Sequence, residues 1–179
     1  MNTNKIEAGS TFPAITVQNL DGNADDIGNI KGAAEWKMVV VYRGQHCPLC
    51  TRYLNKLEDY LGRLAAIGVE VAAVSGDSKE QLESHLDQLD VSIPLYYGLT
   101  VEQMQELGLY ISTPRSDKET DHLFPEPGLF VINVDHQVQL VDISNGPFAR
   151  PELEALTSGL EFIRDPDNNY PIRGTYKAA

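Results

Sequence analysis

Cysteine is scarce in this chain of 179 residues: there are two, Cys47 and Cys50, with Pro48 and Leu49 between them. A disulfide framework is thereby excluded as the source of stability, because a bridge closing so short a loop removes little entropy from the unfolded chain. None is required, since a chain of this length buries a substantial core as a single domain, here 1–179. Positive charge is sparse too. Lys and Arg total 14 against 26 Asp and Glu, a formal net charge of -12. Such a surface repels phosphate backbones and anionic lipid, so no nucleic acid and no membrane partner is expected. Long apolar runs are missing: no stretch approaches the ~20 residues of a membrane span, and Met1 to Glu7 opens polar with no apolar segment behind it. A cytoplasmic location is expected. In that reducing compartment a Cys-x-x-Cys pair is more often catalytic, redox-sensing or metal-binding than structural. Internal repeats and low-complexity segments are lacking as well.

What is present turns on Trp36 to Gly68. Met38-Val39-Val40-Val41-Tyr42 has the composition of a strand buried on both faces. It ends at Arg43-Gly44. Cys47 stands immediately before Pro48, and proline is favoured at the first helical position, where its missing amide would have had no partner. Cys47 is therefore the expected N-cap. Cys50, Tyr53, Leu54, Leu57, Leu61 and Leu64 follow at three- and four-residue steps, predicting one helix that runs to a stop at Gly68. Amides and the helix dipole favour a thiolate at that N-terminus, which predicts an acidic Cys47. Cys50 falls one turn on along the same face, within reach of Cys47.

The flanking sequence supplies the rest of an α/β pattern. Phe12 to Val17 reads as a strand, Asp21-Gly22 as a turn and Asp25 to Gly32 as irregular. Val69 to Val74 is a second apolar strand. Ser78 with Gln81, and Thr100 with Gln103, spell two capping boxes; the first helix is expected to turn Leu82, Leu86 and Leu89 inward, the second Met104 and Leu107. Ile93 to Tyr97 is a short strand between them. Ser112 to Pro127 reads as a polar surface loop. Leu129 to Val134, the turn Asp135-His136 and an alternating Gln137 to Ile143 form an antiparallel pair. Pro151 opens a last helix that stops before Pro166, leaving a polar tail, 164–179, behind a core of about 12–163. Alternating βαβα with a closing ββα implies a three-layer sandwich on a mixed sheet.

This order of elements, the Cys-x-x-Cys at the end of a buried strand and Pro127 just before Gly128-Leu129-Phe130 together resemble the thioredoxin fold. Val74-Ser75-Gly76-Asp77-Ser78, Ser84-His85 and the Tyr42 to Cys50 segment resemble its peroxiredoxin-like branch, the alkyl hydroperoxide reductase and thiol-specific antioxidant group. The resemblance spans about Phe12 to Ile163. It implies a thiol-dependent oxidoreductase in which Cys47 attacks a peroxide oxygen and Cys50 resolves the product, without a cofactor. A thiol reductant such as thioredoxin, glutaredoxin or glutathione is the implied partner. Two positions depart from the family: Gly44 stands where its Thr or Ser precedes the attacking cysteine, and Val40 where its proline does. Pro127 occupies the place of its arginine and resembles the proline that thioredoxins hold in the cis form, which points to a protein disulfide as the alternative substrate.

Around the pair, Arg43 is a candidate cation for the thiolate or the leaving oxygen, or else the partner of a surface carboxylate. His46 is a candidate for lowering the Cys47 pKa when protonated, or a solvated loop residue. Gly44 leaves backbone amides alone to polarise the peroxide, and Thr51 sits where it can bond near the sulfur or merely decorate the first turn. Tyr42 and Trp36 are expected in the core, Asp77 at a helix entry, and His85, His122 and His136 facing solvent. A second alternative is a soft-metal module, but no further Cys-x-x-Cys or paired histidines supply the remaining ligands, so no metal is expected. A homodimer contact would fall on Ser112 to Glu126 or the edge beside Cys47, though nothing in the pattern requires one.

Overall fold

The computed structural model describes residues 5–179. Met1 to Asn4, on which the expectation of a polar start partly rests, lie outside the described residues. The central strand is β3 (Trp36–Val41), all six residues buried. Its side chains alternate between two apolar layers. Met38 and Val40 enter one with Leu54, Leu57 and Leu160, while Val39 and Val41 enter the other with Phe12, Ile15, Met104 and Phe130. A strand packed on both faces reads as a continuous apolar run rather than an alternating one.

Parallel to β3 lies β4 (Val69–Val74), and parallel to β4 lies β5 (Leu95–Tyr97). On the other side β8 (Gly128–Ile132) runs antiparallel to β3, and β9 (Val138–Ile143) antiparallel to β8. The hairpin of β1 (Thr16–Asn19) and β2 (Ala24–Asp26) closes the far edge, giving a seven-stranded mixed sheet in the order β2-β1-β5-β4-β3-β8-β9 among the described residues. Helices α1 (Pro48–Glu58), α2 (Leu61–Ala66), α3 (Lys79–His85), α4 (Val101–Glu106) and α5 (Leu153–Arg164) flank it. This is the α/β arrangement with a mixed central sheet that the sequence implied.

Several local expectations are corrected. The single helix to Gly68 is two: Asp59 and Tyr60 donate to the carbonyls of Lys56 and Leu57 at 3.1 and 2.9 Å, three-residue bonds that tighten and end α1. Gly68 does provide the left-handed stop, at φ +76° after α2. Asp25 is not irregular but pairs within β2. Both capping boxes form, yet Leu86 leaves α3 into a 3₁₀ turn and is exposed. The last helix opens at Leu153 rather than Pro151, and Glu152 caps it, accepting from the amides of Glu154 and Ala155.

The segment read as a surface loop is the largest departure. Its two ends pair as a small hairpin, β6 (Ile111–Ser112) with β7 (Phe124–Pro125), and Phe124 and Glu126 are buried. Lys37, inside β3, is buried too. Its Nζ lies 2.7 Å from Glu70 and 3.0 Å from the Asn29 carbonyl, so the charge is paired and bonded. The tail is partly packed back: Tyr170 meets Phe162 edge-on, while Tyr176 is exposed.

Candidate active site

The strand β3 delivers Tyr42 and Arg43 to the end of the sheet, and the loop from Arg43 to His46 turns the chain into α1. Gly44 makes that turn at φ +138°. A side chain there would meet Asp77: an added Cβ falls 2.5 Å from its Oδ1. Asp77 is fully buried and is more than the helix-entry residue expected. Its Oδ2 accepts the Gln45 amide at 2.8 Å, and its Oδ1 lies 3.2 Å from His122 Nε2. The carboxylate thus fills the space a side chain at position 44 would take, and ties down the loop before Cys47.

Cys47 is the N-cap of α1, with extended backbone and Pro48 behind it. Its sulfur accepts the Cys50 amide at 3.3 Å. Both cysteines are buried and free. The neighbouring Cys50 side chain, with the Cys50 amide and the Arg43 guanidinium, outweighs burial and brings the Cys47 pKa down to about 6. Cys50 moves the opposite way. It is pushed far above the ordinary thiol range by the neighbouring Cys47 side chain and by burial. Alkylation of Cys47 by iodoacetamide is therefore expected to rise with pH around a midpoint near 6, well below the roughly 8.5 of a free cysteine. A midpoint above 8 would contradict the geometry.

Arg43 does pair with a carboxylate, but a buried one. Its Nε sits 3.1 Å from Glu126 Oε2 and donates to Oε1 at 3.3 Å, and Ser112 Oγ donates to Oε1 at 2.7 Å. The guanidinium carbon stands 4.8 Å over the Phe124 ring. So the hairpin β6–β7 holds the arginine that faces Cys47. The sequence offered one weak signal for Glu126, a lone acid between Pro125 and Pro127 beside a buried strand. Its partner is 83 residues away.

Other expectations change. His46 packs edge-on against Phe124 at 4.5 Å, and both ring nitrogens are buried without a partner among the described residues. Burial lowers its pKa, with Arg43 adding to the effect against Asp77, so it is no cation for Cys47 at neutral pH. Thr51 bonds not the sulfur but the Cys47 carbonyl, at 3.4 Å, and lies 2.7 Å from His85 Nε2. His85 is fully buried rather than solvent-facing, and burial lowers its pKa. His122 is half-buried; its bond to Asp77 raises its pKa. No cis peptide bond occurs among the described residues, so Pro127 does not adopt the thioredoxin conformation. The amide of Glu126 before it is already donated to the Tyr110 carbonyl at 2.8 Å, closing the backbone that an extended substrate would use. Among the described residues no group of three or more His, Cys, Asp or Glu side chains is placed to hold a metal, and no helix is long and apolar enough to cross a membrane.

A mixed sheet between helices, with a thiol capping the helix that leaves its central strand, defines the thioredoxin-like class of redox proteins. The chain matches the AhpC/TSA family over residues 8–141 and belongs to it. A Mycobacterium tuberculosis protein named for the peroxiredoxins is 27% identical over 108 residues, 60% of this chain and 68% of that one. Chloroplastic peroxiredoxin Q of Sedum lineare is 33% identical over 78 residues, 42% of this chain and 40% of that one. The crystal structure of an Arenicola marina peroxiredoxin 6 mutant superposes with a TM-score of 0.74 at 17% identity, covering 90% of this chain and 75% of the other.

Proposed function

We propose that this protein is a thiol peroxidase in which Cys47 attacks the peroxide and Cys50 resolves the product. The observation that carries the reading is the Cys47 sulfur at the N-terminus of α1, accepting the Cys50 amide and held near pKa 6 by the Cys50 thiol and Arg43. The thiolate bonds to one peroxide oxygen as the O–O bond breaks, and the other oxygen leaves as alcohol or water on taking a proton. The Cys50 thiol then attacks the sulfenic sulfur, forming the disulfide and releasing water. Arg43 is the cation beside the reacting atoms, and Glu126 orients it. A reducing compartment such as the cytoplasm suits a resting state with both thiols free.

Stopped-flow oxidation by hydrogen peroxide tests this. Wild-type protein is expected to yield a Cys47–Cys50 disulfide, Cys50→Ser a sulfenic acid trapped by dimedone, and Cys47→Ser no reaction. Thiol-disulfide exchange is the second reading, favoured by the Cys-x-x-Cys spacing and by Gly44 in place of the family hydroxyl. Peroxide reacting no faster than with free thiols, while insulin disulfides are reduced rapidly, would decide for it.

A further inference from the structure

The imidazole of His122, on the segment between β6 and β7, faces hydrogen-bond acceptors on both sides. Its Nδ1 lies 2.7 Å from the Leu123 carbonyl oxygen, and its Nε2 lies 3.2 Å from both Asp77 Oδ1 and Gln81 Oε1. The Gln81 amide is not free to turn over and offer its NH₂ instead. Its Oε1 accepts the Ser78 amide at 2.8 Å and its Nε2 donates to Asp121 Oδ1 at 2.9 Å, so both ends are committed. A neutral imidazole has one N–H and one bare nitrogen, whereas the imidazolium donates from both. The oxygens around the ring are therefore matched only when His122 carries two protons. A proton shared between an imidazole and a carboxylate settles on the imidazole, ordinarily the stronger base with a pKa of about 6.5 against about 3.9. The surrounding charges agree. The bond to Asp77, with the Leu123 carbonyl and the charge of Asp121, outweighs burial and holds the His122 pKa above the ordinary 6.5. His46, from the turn before α1, is the other titratable group acting there; burial keeps it neutral, with Arg43 and Glu119 acting on it in turn. His85, from the last turn of α3, also feels Asp77, but its Nε2 faces Thr51.

We propose that His122 is a positioning residue for Cys47: as the imidazolium it clamps the turn that delivers the attacking sulfur, and loss of its proton to solvent releases that turn. The proposal rests on Cys47 as the reacting thiol. Whichever ring proton departs, a bare nitrogen is left facing an oxygen, and an unmade bond at a half-buried contact weakens the docking of the whole segment. That docking reaches the site by two routes. Through Asp77, fully buried and accepting the Gln45 amide at 2.8 Å, it reaches the residue two before Cys47. Along the chain it reaches Phe124 and Glu126, two and four residues on, which hold Arg43 in place beside the sulfur. Because the folded-state pKa of His122 is raised, the clamp contributes fully below about 6.5 and is lost as pH climbs through the raised value. Cys47 ionises as pH climbs through about 6. Reactivity therefore occupies a window, opened by the sulfur and closed by the imidazole.

Two measurements test this. In the reduced wild-type protein, the His122 ring resonances should titrate with a midpoint above 6.5 and show an imidazolium below it, and the Gln45 amide resonance should take a step at that same midpoint. This arm needs no variant. The second compares the wild type with His122→Gln, which keeps one donor and cannot titrate. The wild-type rate with hydrogen peroxide should rise through about pH 6 and fall again above the His122 midpoint. The variant should be slower at pH 7 by about fivefold, the cost of exchanging a charge-assisted bond for a neutral one, and its alkaline fall and Gln45 step should both be gone. A merely structural contact would change the height of the profile and leave its shape. A His122 midpoint at or below 6.5, a Gln45 amide that ignores it, or an alkaline fall that persists in the variant would each overturn the clamp. Should peroxide react no faster than with free thiols while the Gln45 amide still follows His122, the peroxidase reading fails and the clamp does not; the same window is then expected in the rate of insulin disulfide reduction.

Discussion

Gly44→Thr, which places a hydroxyl three residues before Cys47, is expected to destabilise the protein and not to speed peroxide reduction. Two independent terms act. The backbone at φ +138° is one that a β-branched residue strongly avoids, and the new Cβ would lie 2.5 Å from Asp77 Oδ1. Asp77 has nowhere to move, being fully buried and bonded to the Gln45 amide and His122. Strain and overpacking of this kind each amount to about 1–3 kcal/mol. The urea midpoint should therefore fall by the equivalent of about 3 kcal/mol or more. Displacing the carboxylate would also release the loop that aims Cys47. A variant as stable as the wild type, with faster peroxide consumption, would show that position 44 can hold a hydroxyl after all.

Arg43→Met is expected to damage reactivity and stability together. Loss of the guanidinium removes one of the groups that hold Cys47 near pKa 6, so the alkylation midpoint should rise. Losing one preorganised charge-stabilising group from a site of this kind lowers rates by about 10²-fold or more, and peroxide reduction at pH 7 should fall accordingly. Stability suffers because Glu126, 3% exposed, is left with only Ser112 as a partner. Breaking one side of a buried pair is worth about 3–5 kcal/mol; with Arg43 itself partly exposed, about 2–3 kcal/mol is expected. Adding Glu126→Gln should recover most of the stability, since an amide is buried more easily than an unpaired carboxylate, but none of the rate. Recovery of both by the double variant would mean that Arg43 acts only as a structural partner of Glu126. Urea unfolding and stopped-flow kinetics on the four proteins of the cycle read the two effects separately.

The contrast between these residues shows what was legible in advance. Cys47 at the head of a helix could be read from Pro48, and the capping boxes at Ser78 and Thr100 from Gln81 and Gln103, because the groups involved lie within four residues of each other. The buried strand β3 was visible because both of its faces are apolar. The end of α1 was not: Leu57, Leu61 and Leu64 keep the helical spacing across Asp59 and Tyr60, and apolar periodicity does not register a break that preserves the buried face. Glu126, Asp77 and His85 were read as a loop acid, a helix entry and a solvated ring. Each is buried by partners more than 30 residues distant, Arg43, Gln45 and Thr51 respectively. Pairing at that range is a property of the folded chain, and a polar residue awaiting a buried partner looks in sequence like any other polar residue.

The hydrogen bond from the Cys50 amide to the Cys47 sulfur also bears on how firmly the site would keep its electrons. The groups that steady sulfur 47 as an anion, the Cys50 side chain and amide and Arg43, act on a charge that exists only while the S–S bond is absent. Stabilising the dithiol form in this way moves the couple toward the oxidising end of the scale, as in other disulfides whose reduced partner is favoured. Once closed, the bridge would be an avid electron acceptor, easily opened by small thiols and poorly suited to serve as a permanent crosslink.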